Sequence, residues 1–400
     1  MIPFSPPHID KKIIDEVCAS LQSGWITTGP RTRKLETMIA EYCAVPEVLC
    51  VSSNSAGMEL MLRWFGVGPG DEVIIPAYTY CATANVVVHC GATPVMVDVN
   101  DDFCINVEAI RRAITPRTKV IMPVDIAGWP CDYDAINALV NEPDIQCLFA
   151  PNNDIQQSLN RILVLSDAAH SIGARYHGKR TGGLTDISVF SFHAVKNITT
   201  AEGGAICLNL PAQFDNNLIY KRLKTLSLHG QSKDAFEKTQ IGNWRYDVVD
   251  VGYKCNMPDV LAAIGLVELE RYDTVLERRR RIFELYDEAF SSHPQFQTPL
   301  HRSADRESSY HVYSLRINHI TEEVRDCIMQ RIFEQEVAVN VHFIPLPLLS
   351  YYRNAGYQIN HYPVAYDNFA REISLPVYFN LTDEQVHTVI QAVINSVKNI

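Results

Sequence analysis

An α/β fold around a largely parallel sheet, followed by a smaller α+β part, is what this sequence predicts. Short β-branched runs alternate with longer helix-compatible stretches through the first half of the chain. After Pro258 the pattern changes to one long amphipathic stretch, then to scattered strand and helix signals. A chain of 400 residues, 47% hydrophobic and 20% charged, is long enough to bury a core in each of two domains.

Taken in order, the strand signals are Val48 to Ser53, Asp71 to Pro76, Pro94 to Val99, Lys119 to Asp125, Ile162 to Ser166, Asp186 to Phe192 and Ala205 to Leu210. Parallel sheets hold ligands beyond the carboxyl ends of their strands, so the residues just after each run are the candidates for chemistry. Asn141 to Leu159 is polar and turn-rich and reads as a surface insertion. Leu and Ile at helical spacing make Val260 to Phe290 one connector helix. Its Arg278 to Arg281 read as a solvated face paired with Glu270, Glu277 and Glu284. Tyr310 to Ile317 and Val337 to Phe343 read as strands, and Asp383 to Val397 as a closing helix. The expected division is a large domain over residues 1–255 and a connector plus small domain over 256–400.

Bulk properties exclude several classes. A net charge of −11 opposes binding to nucleic acid, which needs phosphate-neutralising basic surfaces. No apolar run is long enough to span a membrane, and Met1 to Ser20 mixes acidic and basic residues where a leader would be charged and then apolar. The eleven cysteines are odd in number and form no CxxC pair. With Cys50, Cys81, Cys90, Cys147 and Cys207 in strand-like or apolar runs, they read as buried reduced thiols of a cytoplasmic protein, and no metal site is expected.

Three segments carry candidate chemistry, and each has a plain structural reading beside the functional one. Ser52 to Gly57 follow a strand and open an amphipathic run; their free N–H groups suit a phosphate, but Ser and Asn also simply cap helices. Asp167, in Ser166-Asp167-Ala168-Ala169-His170, follows an apolar strand and is placed to keep a pyridine nitrogen protonated, with His170 and Tyr80 as walls for its ring. The same Asp also suits a cap, and the same His an interior position. In Phe190 to Gly204 an apolar strand delivers Ser191 and then Lys196 before a Gly pair turns the chain. A lysine kept out of bulk water has its pKa lowered, which frees the amine to condense with an aldehyde; a solvated lysine would not do this.

These segments resemble the DegT-type branch of the fold-type I enzymes that depend on pyridoxal 5'-phosphate (PLP), the sugar-nucleotide aminotransferases. SFHAVKNITTAEGG resembles the family's lysine signature, SDAAHSIGA its aspartate motif, SGWITTGPRTRKLE its N-terminal segment and DEVIIPAYTYCATANVVVHCGATPVMVDV its ring-stacking segment. The likeness runs on through GYKCNMPDVLAAIGLVELE, VNVHFIPL and SLPVYFNLTDEQV. It implies a mixed, mostly parallel seven-stranded sheet flanked by helices.

By the same resemblance, Lys196 is the lysine that bonds to PLP, Asp167 the partner of the pyridine nitrogen, and Tyr80 and His170 the ring contacts. Ser55, Ala56 and Ser191 are phosphate binders, and Asn256 reaches the cofactor phosphate of a neighbouring subunit, so a homodimer with shared sites is implied. Thr28, His229 and His342 fall near the substrate. A branch of the family replaces the lysine with histidine and dehydrates sugars; Lys196 argues against it. The implied reaction moves an amino group from L-glutamate to C4 of a UDP- or dTDP-linked 4-keto-6-deoxysugar. Amination at C3 or of a keto-cyclitol is the enzymatic alternative, and a PLP-binding regulatory sensor the non-enzymatic one.

Overall fold

The computed structural model describes residues 1–232 and 245–398. Seven strands form the main sheet: β1 (Glu47–Val51), β2 (Glu72–Pro76), β3 (Thr93–Val97), β4 (Thr118–Ile121), β5 (Leu163–Asp167), β6 (Ile187–Ser191) and β7 (Gly204–Leu208). Each has its bounds within four residues of a run read from the sequence. Their order is β1-β7-β6-β5-β4-β2-β3, with β7 antiparallel to both neighbours and the other pairings parallel. All but β7 therefore end on one side of the sheet, and β7 begins there. The predicted fold-type I architecture is the one observed.

β2, β5, β6 and β7 are buried at every residue, which explains their unbroken apolar runs. Gly204 lets β7 start against the turn after β1: a Cβ there would stand 2.6 Å from the Asn54 nitrogen and 2.7 Å from the Phe190 oxygen. The helix Asn54–Trp64 is started by Ser53, whose hydroxyl accepts the Ala56 N–H at 3.0 Å. The helix Pro30–Cys43 is capped from far along the chain. Buried Asp259 accepts the N–H groups of Gly29 at 2.7 Å, Arg31 at 3.0 Å and Thr32 at 3.0 Å.

A second core forms from Ile282 to Val397 with Ile2, around β8 (Tyr313–Ile317) and β9 (Glu372–Leu375). The closing helix Asp383–Val397 has the bounds expected and starts with a capping box between Thr382 and Gln385.

Several expectations are corrected. The connector is two helices, Asp259–Glu270 and Tyr272–Phe290, meeting at Arg271; the apolar spacing continues across the break and no Pro marks it. The first of them packs with Leu35, Ile39 and Phe190. Arg279 is not on a solvated face: it is buried and donates to the carbonyls of Tyr310 and His311. Arg278 pairs with Asp383, while Arg280 and Arg281 do lie near Glu284. Val337 to Phe343 is not a strand but a chain with isolated bridges, at Val337 to Ile2 and at Asn340 to Ser374. The insertion folds into the helices Pro143–Leu148 and Asp154–Leu159. It is anchored by buried Gln156, which donates to the Phe65 carbonyl at 2.9 Å. The cysteines are free thiols, but Cys18, Cys147 and Cys327 are exposed and Cys81 half-buried.

Candidate active site

The carboxyl ends of β1, β2, β5 and β6 open onto one cavity of about 410 Å³. Ser55, Tyr80, Asp167, His170, Ser191, Lys196 and His342, all singled out in the sequence, line it. These residues span 287 positions; all but His342 stand at or just after strands of the main sheet and meet because those strands end side by side.

Asp167, the last residue of β5, is 4% exposed. Thr83 Oγ1 donates to its Oδ2 at 2.8 Å, and Asn54 Nδ2 and the Ala169 N–H donate to its Oδ1 at 3.1 and 3.3 Å. Burial raises its pKa, while these donors and Lys196 lower it in opposition. Lys196 follows β6 in a tight turn in which its N–H donates to the His193 carbonyl at 2.9 Å. Burial lowers its amine to about 8, against the opposite pull of Asp167. An amine that loses its proton far more readily than a solvated lysine and a carboxyl ringed by donors thus face one space.

His170 accepts the Ala127 N–H on Nδ1 at 3.2 Å. Its ring is neutral, because burial first and Lys196 next hold its pKa well down, so the ring proton sits on Nε2. Tyr80, at the start of the helix Cys81–His89, is 57% exposed at the mouth. Phe343 lies between the two, its ring centroid 5.5 Å from that of Tyr80 and 5.7 Å from that of His170. Phe4 stacks on His342 at 5.4 Å.

The donor set fits PLP. Asp167 suits a protonated pyridine nitrogen, Lys196 its aldehyde, and the hydroxyls of Ser55 and Ser191 with the opening turn of the helix Asn54–Trp64 suit its phosphate.

Other expected positions lie apart from this cavity. Ala56 lines a separate cavity beside Glu59 and Tyr253, and its amide is engaged by Ser53. Asn256 donates to Thr28 Oγ1 at 2.6 Å, and Thr28 donates to the Met257 carbonyl at 2.6 Å, so the two form one cluster outside the lining. His229 is exposed, its amide bonded to the Tyr253 carbonyl at 2.7 Å.

The structure also adds residues that the sequence reading passed over. Asn54 adjoins Ser55, and Thr83 lies one helical turn after Tyr80, so both were within reach of a local argument. His311 was not: it comes from 115 positions beyond Lys196 and sits with its ring 4.4 Å from that of His170. Its Nδ1 lies 2.8 Å from Asn197 Oδ1, while Asn197 Nδ2 donates to the Ser309 carbonyl at 2.7 Å and to Tyr272 at 3.2 Å.

The sequence pattern of the DegT/DnrJ/EryC1/StrS aminotransferase family matches residues 7–150 and 152–394. A Streptococcus pneumoniae protein described as a sugar aminotransferase, solved in its PMP form, superposes with a TM-score of 0.95 at 44% identity, over 99% of both chains. Its PLP form gives 0.94 at 43% identity, covering 99% of this chain and 98% of that one. Helicobacter pylori PseC, an aminotransferase involved in the biosynthesis of pseudoaminic acid, gives 0.86 at 27%, over 99% of this chain and 98% of that one. The spore coat polysaccharide biosynthesis protein SpsC of Bacillus subtilis is 35% identical, over 99% of this chain and 97% of that protein. No helix among the described residues is long and apolar enough to cross a membrane.

Proposed function

The chain belongs to the DegT/DnrJ/EryC1/StrS aminotransferase family and is a PLP-dependent aminotransferase, and from that premise we propose that it transfers an amino group from L-glutamate to C4 of a UDP- or dTDP-linked 4-keto-6-deoxysugar. One observation carries the reading: the Lys196 amine and the Asp167 carboxylate face the same cavity at the strand ends. Bound PLP would serve as the electron sink that makes the donor's α-proton removable.

The protein's own groups divide the work. Lys196, lowered to about 8, holds or releases a proton near neutral pH, which suits the base and acid of a proton shift. Asp167, stiffened by Thr83 and Asn54, keeps the pyridine nitrogen protonated. Tyr80 and His170 would hold the ring, and Ser55 and Ser191 with the opening turn of the helix Asn54–Trp64 would hold the phosphate. Phe343 and Phe4 make apolar walls that keep water from the reacting atoms. His342 contacts the sugar.

The homodimer belongs to this reading, with Asn256 serving the neighbouring subunit's site and Thr28 and His229 reaching substrate. Its support is that Asn256 and Thr28 lie outside the one-chain cavity, and that a run of exposed apolar residues including Val248, Val249 and Val251, the last 88% exposed, precedes Asn256 in the chain. The same reading divides the chain into a PLP-binding part, 1–255, and a part from 256 onward; the separate core built on Ile282 to Val397 supports a second body. A cytoplasmic setting suits the free thiols.

The test supplies glutamate with a panel of UDP- and dTDP-linked ketosugars and follows 2-oxoglutarate and aminosugar by mass. Amination at C4 is expected. Glutamate turnover with amine appearing only at C3 or on a free cyclitol overturns the substrate assignment; absence of any glutamate reaction overturns the donor.

A further inference from the structure

Behind the cavity wall, β9 contributes an unbroken line of hydrogen bonds. The Ser374 hydroxyl lies 2.6 Å from Glu372 Oε1 and 2.9 Å from His342 Nδ1. Glu372 Oε2 accepts the backbone N–H of His342 at 3.1 Å, which pins the carboxyl to the same turn. Glu372 is 0% exposed, whereas His342 lines the cavity. A sealed carboxyl is thereby connected to the space where an acceptor would lie.

The groups facing this line explain its protonation. Around Glu372 stand Arg325, Arg316 and Tyr78; around His342 stand Lys196, His170 and His311. Arg325 is engaged by the carbonyls of Phe369 and Glu372 and by Asp326, and Arg316 by Asn368. Among the described residues no cation forms an ion pair with the Glu372 carboxylate. Burial pushes that carboxyl up to about 8, so it carries its proton at neutral pH. Burial, aided by Lys196, holds the His342 ring down to about 4, so the ring is neutral with one N–H.

A hydroxyl donates only once, and this makes the ring state depend on the carboxyl. When Glu372 is ionised, Ser374 donates to it and must accept from His342, which places the ring proton on Nδ1 and leaves Nε2 bare. When Glu372 is protonated, it donates to Ser374, which turns to donate to Nδ1, and the ring proton sits on Nε2, toward the cavity.

We propose that Glu372, Ser374 and His342 form a proton wire that sets the His342 tautomer and delivers a proton to the carbonyl oxygen of the acceptor. The Nε2 proton passes to that oxygen, Nδ1 takes the Ser374 proton, and Ser374 takes the proton of Glu372, which is left as a carboxylate. Amine addition expels the oxygen as water, so the oxygen gains two protons while the nitrogen loses two. One of the latter returns to Nε2 and resets the wire. The acceptor's identity rests on the proposed function; the wire does not. His342 is the catalytic residue, and Glu372 and Ser374 are positioning residues.

The test is nitrogen-15 NMR of ring-labelled histidine in the PLP-bound protein without sugar, with His342 assigned by loss of its signal in His342→Gln. The ring proton is expected on Nε2 at neutral pH and on Nδ1 as pH rises through about 8, and Glu372→Gln is expected to abolish the change. A single tautomer throughout in the unaltered protein, or a change that survives Glu372→Gln, overturns the wire even if no nucleotide sugar is a substrate. In single-turnover kinetics, Glu372→Gln and Ser374→Ala should slow the acceptor half-reaction about 10–100-fold more than the glutamate half-reaction, with Ser374→Thr restoring it. Equal loss in both halves overturns the delivery to the acceptor.

Discussion

Replacing Thr83 by valine removes one donor while changing little volume. Thr83 Oγ1 donates to Asp167 Oδ2 at 2.8 Å between two buried residues, and pairs with Thr79 Oγ1 at 2.8 Å. A hydrogen bond to a charged group contributes about 1.5–3 kcal/mol, and its loss leaves a buried carboxylate oxygen less satisfied. Losing that donor should raise the Asp167 carboxyl further, in the direction in which burial already pushes it. Asn54 Nδ2 at 3.1 Å and the Ala169 N–H at 3.3 Å remain, so the site keeps its shape. Only the ionised carboxylate holds a pyridinium nitrogen, and a raised pKa means that this form is lost at a higher pH on acidification. The variant should therefore bind PLP about 10–100-fold more weakly, with a larger deficit at mildly acidic than at neutral pH. Titration of the cofactor-free protein by absorbance measures this, and Thr83→Ser should restore binding. Affinity within twofold of the unaltered protein across that range would refute the argument.

Four further outcomes follow from the geometry. Because only the neutral amine condenses with an aldehyde and burial lowers Lys196 to about 8, the rate of PLP attachment should climb as pH rises toward that value and level off above it. Borohydride reduction should fix the label on Lys196, and a label elsewhere would remove the basis for the assignment. Gly204→Ala places a Cβ 2.6 Å from the Asn54 nitrogen, so the thermal midpoint and PLP affinity should both fall; an unchanged midpoint contradicts the close approach. Gln156→Ala should lower stability by about 1–3 kcal/mol in denaturant titration, since its amide donates to the Phe65 carbonyl and accepts the Asn152 N–H, while turnover per folded molecule stays constant. Mixing Lys196→Ala with Asn256→Ala chains should restore about a quarter of full activity, because half the dimers are mixed and each holds one intact site; no recovery upon verified subunit exchange argues against shared sites.

Where a feature was carried by neighbours in sequence, it was legible. Asp167 and Lys196 stand just after or at the ends of apolar runs, and a run of that kind needs only local β-propensity and burial to be read. Seven such runs specified seven strands. The helix Asp383–Val397 was legible to its bounds because Thr382 and Gln385 spell its start. Val337 to Phe343 misled for the converse reason: its alternating apolar residues suit a strand, but Asn340 meets β9 only at Ser374 before the chain turns into the cavity wall. Arg279 misled because charge in a helical pattern is read as solvent-facing, whereas the carbonyls of Tyr310 and His311 meet it inside.

By itself the sequence determined the alternating α/β pattern, the strand ends and the lysine and aspartate that stand there, since each depends on residues within a few positions. Only the tertiary structure decided that Asp259 caps the helix Pro30–Cys43, that His311 meets Asn197, and that Glu372 reaches His342 through Ser374. Propensity and periodicity decay within a few turns of chain, whereas hydrogen bonds and burial act through space. A carboxyl 30 positions from the histidine it serves acquires its partner, and the pKa that goes with it, only when packing closes the water out.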